Sequence, residues 1–233
     1  MLPPLTKFKK VALDLLFPQW CIGCGREGDY ICDSCRRTLT MISPPVCPRC
    51  GRPRSQGEIC YECADWQAEI DGIRAPFFFD GVIRRAIHDL KYNNLRALAV
   101  PLAELLHNYF METPFHGEVL VPVPIHSRRY RERGYNQSAL LARELGRLSH
   151  MPVVENSLVR SNYALPQARS GSIEERRENV TGAFACRDER LKGKEIILVD
   201  DVSTSGATLD ACAGVLKSAG AAAVWGLVIA LEL

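Results

Sequence analysis

The longest apolar runs of the chain lie near its C-terminus. In EIILVD (195–200) the positions Ile196 to Val199 are apolar without alternation, which predicts a strand buried on both faces, as in a parallel sheet. AVWGLVIAL (223–231) reads the same way, and the segment between them, Ala207 to Ala219, predicts a helix stopped by Gly220. Upstream, APFFFDG (75–81) and EVLVPVP (118–124) read as strands, the second ended by its prolines. Val82 to Tyr92, Leu95 to Phe110 and residues 137–149 carry apolar positions three and four apart and predict amphipathic helices; TGAFAC (181–186) predicts a short strand. Strands alternating with helices imply an α/β fold with a largely parallel sheet flanked by helices. One stretch breaks the alternation. Arg160 to Val180 is polar, contains Pro166 and Gly171, and reads as a lid or a surface excursion.

Before residue 70 the pattern differs. Eight of the ten cysteines fall between residues 21 and 63 as four C-x-x-C pairs, and CIGCG followed by CDSC is echoed by CPRCG followed by CYEC. The change in composition predicts a small N-terminal unit over 1–66, comprising an N-terminal helix and the cysteine-rich segment, and a second unit over 67–233. Two C-x-x-C turns supply four thiolates at tetrahedral spacing, which suits zinc, and Gly25 and Gly51 free the backbone to fold back toward the sulfurs. A disulfide cluster would need an oxidising compartment, and redox C-x-x-C motifs usually come singly. Pairing neighbours gives one site from Cys21, Cys24, Cys32 and Cys35 and another from Cys47, Cys50, Cys60 and Cys63; interleaved pairing, or one occupied site, is the alternative. Four cysteines per ion leave no open position, so the metal is expected to be structural. Cys186 and Cys212 read as buried small side chains.

Composition adds limits. With 47% hydrophobic and 24% charged residues the 233-residue chain is of globular type, and a net charge of +2 excludes a protein-wide grip on nucleic acid while leaving room for a local one. The apolar run Val11 to Phe17 is shorter than the roughly 20 residues a spanning helix needs, and no later segment reaches that length. No membrane span and a cytoplasmic location are therefore expected.

The chemistry is concentrated after the buried strand. Asp200 and Asp201 stand at its carboxyl end, where α/β sheets bind ligands, and STSGAT turns into the next helix. Backbone N–H groups, the hydroxyls of Thr204, Ser205 and Thr208, the small residues Gly206 and Ala207, and the helix N-terminus would together cradle a phosphate. The acids then face sugar hydroxyls or a bridging Mg2+. Neither a P-loop nor a dinucleotide glycine motif occurs at this strand. A second feature is Ser127 to Gln137, where Arg128, Arg129, Arg131 and Arg133 are interleaved with Tyr130 and Tyr135. That pattern fits diphosphate binding, a groove for single-stranded nucleic acid, or a solvated helix start. His126, beside it, reads as a simple hydrogen-bonding residue or a diphosphate donor.

IILVDDVSTSGAT resembles the PRPP motif of type I phosphoribosyltransferases. LLFPQWCIGCG, CPRCG, IHDLKY, VPVPIHSRRYRERGYNQSALLA and QARSGSIEERRENVTGAF precede it in the order seen in the ComF/GntX family, which joins a double zinc ribbon to a phosphoribosyltransferase-like domain. The resemblance implies that Asp200 and Asp201 bind the ribose hydroxyls of PRPP, that Thr204, Ser205, Gly206, Ala207 and Thr208 hold its 5′-phosphate, and that Arg128 meets the diphosphate. It implies Mg2+ with PRPP, structural Zn2+, an acceptor base or amine of unknown identity, and a flexible hood over 160–180 in which Gln167, Arg176 and Asn179 match family positions. It implies equally an accessory role in DNA uptake or DNA utilisation, with single-stranded DNA or the uptake machinery as partner.

Overall fold

Residues Ile196 to Val199 have no solvent exposure, and one layer of the protein covers each side of them. In the computed structural model, which describes residues 19–113, 115–160 and 182–233, five strands make one sheet: β1 (Gly72–Arg74), β2 (Phe77–Phe78), β3 (Val119–Pro122), β6 (Glu195–Ser203) and β7 (Ala223–Leu231). The order is β1-β7-β6-β3, with β2 also beside β7, and every pair is parallel. Ile197 sits between Leu120 of β3 and Trp225 of β7. β4 (Leu158–Arg160) and β5 (Phe184–Cys186) form a separate antiparallel pair. The helix expected before residue 19 and the lid expected beyond Arg160 lie outside the described residues.

Side chains of β6 alternate between the two faces, as a strand requires. Ile197 and Val199 pack with Ile87, Leu90, Leu102 and Leu145, from α3 (Gly81–Tyr92), α4 (Ala99–Glu112) and α6 (Gln137–Ser149). Ile196 and Leu198 pack with Leu209, Cys212 and Leu216 of α7 (Ala207–Ser218) and with Phe184 of β5. The sheet is thus covered on both faces, and the uninterrupted apolar runs follow from that.

Three local departures from the periodicity have physical causes. Of the strand expected over 75–81 only Phe77–Phe78 (β2) forms, and β1 (Gly72–Arg74) precedes the expected segment; Pro76, which has no N–H for the ladder, lies between the two. The helix expected from Leu95 opens as a 3-10 turn, Arg96–Leu98. TGAFAC does not join the main sheet; its Phe184–Cys186 pairs with β4, a strand too short to show a period.

Each half of the cysteine-rich segment is a small hairpin followed by one helical turn. The bridges are Trp20 with Glu27 and Val46 with Pro53, and the turns are α1 (Asp33–Arg36) and α2 (Tyr61–Ala64). The segment lies against the sheet: Ile73 N–H donates to Arg49 O (2.7 Å), Phe78 N–H to Thr40 O (3.1 Å) and Ile42 N–H to Pro76 O (2.8 Å). Cys21, Ile31 and Cys35 share one apolar cluster with Val82 and Ile83, while Cys47 and Cys63 share the other with Trp66 and Ile73. No helix among the described residues is long and apolar enough to cross a membrane.

Candidate functional site

The eight paired cysteines gather as two sets of neighbours, Cys21/Cys24/Cys32/Cys35 and Cys47/Cys50/Cys60/Cys63. Within each set all Sγ atoms lie within 4.8 Å of one another. A tetrahedron with Zn–S bonds of about 2.3 Å has sulfurs about 3.8 Å apart, and Cys24 to Cys32 and Cys50 to Cys60 each measure 3.6 Å. The two knuckles repeat the same contacts. Cys32 N–H points at Cys21 Sγ and Cys60 N–H at Cys47 Sγ, both at 3.4 Å, and Gly25 and Gly51 take φ of 71° and 76° to let their amides return to Cys21 O and Cys47 O. Both sets fit structural zinc and exclude interleaved pairing.

Asp200 and Asp201 sit where β6 outruns its neighbour. The ladder with β3 ends at Pro122 opposite Val199, whereas that with β7 continues to Ser203 opposite Leu231. Both acids therefore stand at the carboxyl edge of the sheet, where α/β sheets bind ligands. Asp200 Oδ1 accepts from Ser138 Oγ at 2.7 Å and from the Asp201 N–H at 2.9 Å. Burial, and next the charge of Asp201, push the Asp200 carboxyl up to about 7. Asp201 is 2% exposed. Its Oδ1 is 2.7 Å from Lys91 Nζ, while its Oδ2 is buried with no hydrogen-bond partner among the described residues.

The turn that follows enters α7 through Gly206, at φ 77°. A Cβ there would stand 2.9 Å from both the Trp66 Cη2 and the Ile73 Cδ1, so the position admits only glycine. Ala207 N–H reaches Ser205 Oγ at 3.4 Å, and the first intrahelical bond is Asp210 N–H to Gly206 O. The first turn of α7 thus borders a narrow cleft of about 50 Å3 lined by Asp200, Thr204, Ser205, Gly206, Ala207 and Thr208, and the N–H groups of such a turn have no partner within the helix. All five turn residues singled out in the sequence meet Asp200 there.

The basic cluster forms α5 (Ser127–Arg133), capped by His126, whose Nδ1 accepts from Arg128 N–H at 3.1 Å. Arg128 itself is in solvent, its Nε 2.8 Å from Glu132. Arg129, exposed like Arg128, and the half-buried Arg133 line a cleft of about 370 Å3 with Lys91, Tyr92, Glu132 and Tyr135, and Arg133 lies over the Tyr92 ring at 5.5 Å. On the other side of Tyr135, Arg131, Arg143, Arg160 and Arg187 line a larger cleft of about 820 Å3 with Tyr130. The Arg160 guanidinium stacks on Phe184 at 5.2 Å; burial, then the Arg129 charge, lower its pKa, and Cys212 and Asp200 oppose that shift. Gln167, Arg176 and Asn179 lie outside the described residues.

Known proteins resemble both the cysteine-rich segment and the chain as a whole. The double zinc ribbon domain family matches residues 12–64. Competence protein ComFC of Bacillus subtilis is 31% identical over 208 residues, covering 85% of this chain and 82% of that protein. The chain belongs to the ComF family. A further relative, DNA utilization protein YhgH of Escherichia coli, is 29% identical over 83% of this chain and 87% of its own length. Purine phosphoribosyltransferase from Pyrococcus horikoshii superposes with a TM-score of 0.34 at 18% identity, over 60% of this chain and 75% of that one.

For a ComF-family chain, the residues that sequence reasoning left without a role are Lys91, Ser138 and Arg160. The first two contact the carboxylate pair from α3 and α6. Both fall in motifs that match the family, Lys91 in IHDLKY and Ser138 in NQSALLA, but spacing gives neither a role.

Proposed function

We propose that this ComF-family protein binds PRPP as its Mg2+ complex and transfers the 5-phosphoribosyl group to a nitrogen acceptor. The observation that carries the reading is Asp200 lining the same small cleft as the Thr204 to Thr208 turn, with the buried Asp201 next to it in β6. The 5′-phosphate would accept N–H bonds from the first turn of α7 and hydroxyl bonds from Thr204, Ser205 and Thr208. Asp200 and the Oδ2 of Asp201 would accept from ribose hydroxyls, and these carboxylates are also the donors that fit Mg2+. Mg2+, when bound, would neutralise part of the diphosphate charge.

In the transfer, the C1–O bond to diphosphate breaks with its electron pair leaving on the diphosphate, the acceptor nitrogen bonds to C1, and its proton passes to solvent. The protein positions the reactants and balances the leaving charge, and no side chain need act as nucleophile. Lys91, Arg129 and Arg133 line one cleft and suit the departing diphosphate; Arg128 would join them only by giving up Glu132. Calorimetry of the zinc-loaded protein with Mg-PRPP tests the reading: binding is expected, with at least 100-fold loss in the double variant Asp200→Ala/Asp201→Ala. Absence of heat in the parent protein would end it.

A second reading is supported by the larger cleft, where arginines alternate with Tyr130 and Tyr135, and by relatives named for competence and DNA utilisation. Here the family member holds single-stranded DNA, with arginines on phosphates and tyrosines under bases. Affinity for an oligonucleotide should fall steeply with salt, and replacing Arg131 and Arg187 should flatten that dependence.

A further inference from the structure

The second cysteine cluster touches the phosphate turn itself. Arg52, which follows Cys50 by two positions, donates from its guanidinium to Thr204 O at 3.3 Å, and its other amino group is 3.2 Å from Glu62, which stands between Cys60 and Cys63. Trp66, three residues beyond Cys63, is 5% exposed. Its ring lies against the Cα of Gly206, where an added Cβ would come within 2.9 Å. Its backbone N–H donates to Cys63 O at 3.3 Å, and its carbonyl accepts from Arg49, which also donates to Cys63 O.

The same segment grips the helix that the turn feeds. Asp210, in the first turn of α7, accepts from the Trp66 indole at 3.3 Å and from the N–H groups of Glu69 (2.8 Å) and Ile70 (3.0 Å). Thr204, Gly206 and Asp210 are thus each held by residues whose own positions depend on the Cys47/Cys50/Cys60/Cys63 loops. By contrast, the first cluster shares its apolar contacts with Val82 and Ile83 of α3, on the opposite face of the sheet.

We infer that the second zinc ribbon is the back wall of the phosphate turn, so that metal in Cys47/Cys50/Cys60/Cys63 and ligand in the turn stabilise each other. Arg52 and Trp66 are the positioning residues that transmit the coupling. The ligand half of this inference rests on the PRPP reading above. Coupling between two sites is reciprocal: whatever factor zinc adds to ligand affinity, ligand adds to zinc affinity. Because the first cluster lacks these contacts, only the second metal should respond.

Zinc release to a chelator, with cysteine alkylation followed by mass spectrometry to assign each release to its cluster, tests this. With saturating Mg-PRPP, release from the second cluster should slow at least fivefold and that from the first should not change. Trp66→Ala and Arg52→Ala should abolish the slowing while both metals remain bound, and Trp66→Phe, which keeps the ring against Gly206, should retain most of it. Hydrogen exchange of peptides covering 203–210 supplies a readout without ligand: exchange should rise on loss of the second metal and stay level on loss of the first. Mg-PRPP that binds by calorimetry yet leaves the second release rate unchanged would overturn the inference. If Mg-PRPP fails to bind, the functional reading falls, and the exchange experiment alone decides whether the ribbon holds the turn.

Discussion

Lys91 Nζ lies 2.7 Å from Asp201 Oδ1, with the two side chains 21% and 3% exposed. The ion pair joins the last turn of α3 to the carboxyl edge of the sheet and keeps a nearly buried charge in place beside a second carboxylate. Removing one partner of such a pair leaves the other charge uncompensated. Lys91→Met should therefore cost about 3 kcal/mol in zinc-containing buffer, and the double variant Lys91→Met/Asp201→Asn should recover much of it. Urea midpoints of the two single variants and the double variant measure the coupling.

Asp200 is raised from 3.8 to about 7 by burial and by Asp201, against the opposing influence of Ser138, Lys91 and the Asp201 N–H. Between those values the folded state holds a proton that the unfolded state has released, so this group's contribution to stability declines as pH rises from about 4 to 7. Ligand hydroxyls favour the ionised form, so Mg-PRPP affinity should climb as pH passes 7. Asp200→Asn should flatten that profile, and Ser138→Ala should move its midpoint upward, both read by calorimetry at several pH values.

Gly206→Ala places a methyl group 2.9 Å from Trp66 and Ile73 at a φ of 77°. A loss of about 1–3 kcal/mol is expected from the backbone strain, accompanied by loss of Mg-PRPP binding. Thermal melting with and without ligand separates the two effects.

Metal analysis of the purified protein should find two zinc ions per chain, one for each cysteine set. Strong chelation should unfold the N-terminal segment, because knuckles with so little apolar core depend on the metal for folding. Circular dichroism before and after zinc is restored gives the readout.

Arg128 and Arg129 stand side by side in sequence and both are exposed, but Arg128 is paired with Glu132 while Arg129 lines a cleft with Lys91. Arg129→Ala is expected to weaken Mg-PRPP binding at least tenfold. Arg128→Ala should do so only if that side chain leaves Glu132 when the diphosphate arrives, and an exposed pair of this kind should leave the melting temperature unchanged.

What the sequence discloses and what it conceals follow from the range of each interaction. The strands around Ile197 and Val228 were legible because burial on both faces leaves no polar position to interrupt the run. The thiolate sets were legible because two residues separate the cysteines of each pair, and only the order of pairing needed coordinates. Lys91 with Asp201, and Ser138 with Asp200, were not legible: each contact joins elements far apart in the chain, and a lysine or serine on a helix carries no mark of its target. Which arginines of α5 border the cleft beside Lys91 was hidden likewise, since a run of arginines looks the same whichever members line it.

The bonds from Arg49, Thr40 and Ile42 to the strand region 73–78 have a consequence for solubility. They occupy backbone groups that would otherwise template a foreign strand. Loss of zinc from the ribbon should therefore bare that edge, and self-association on metal removal is the expected outcome.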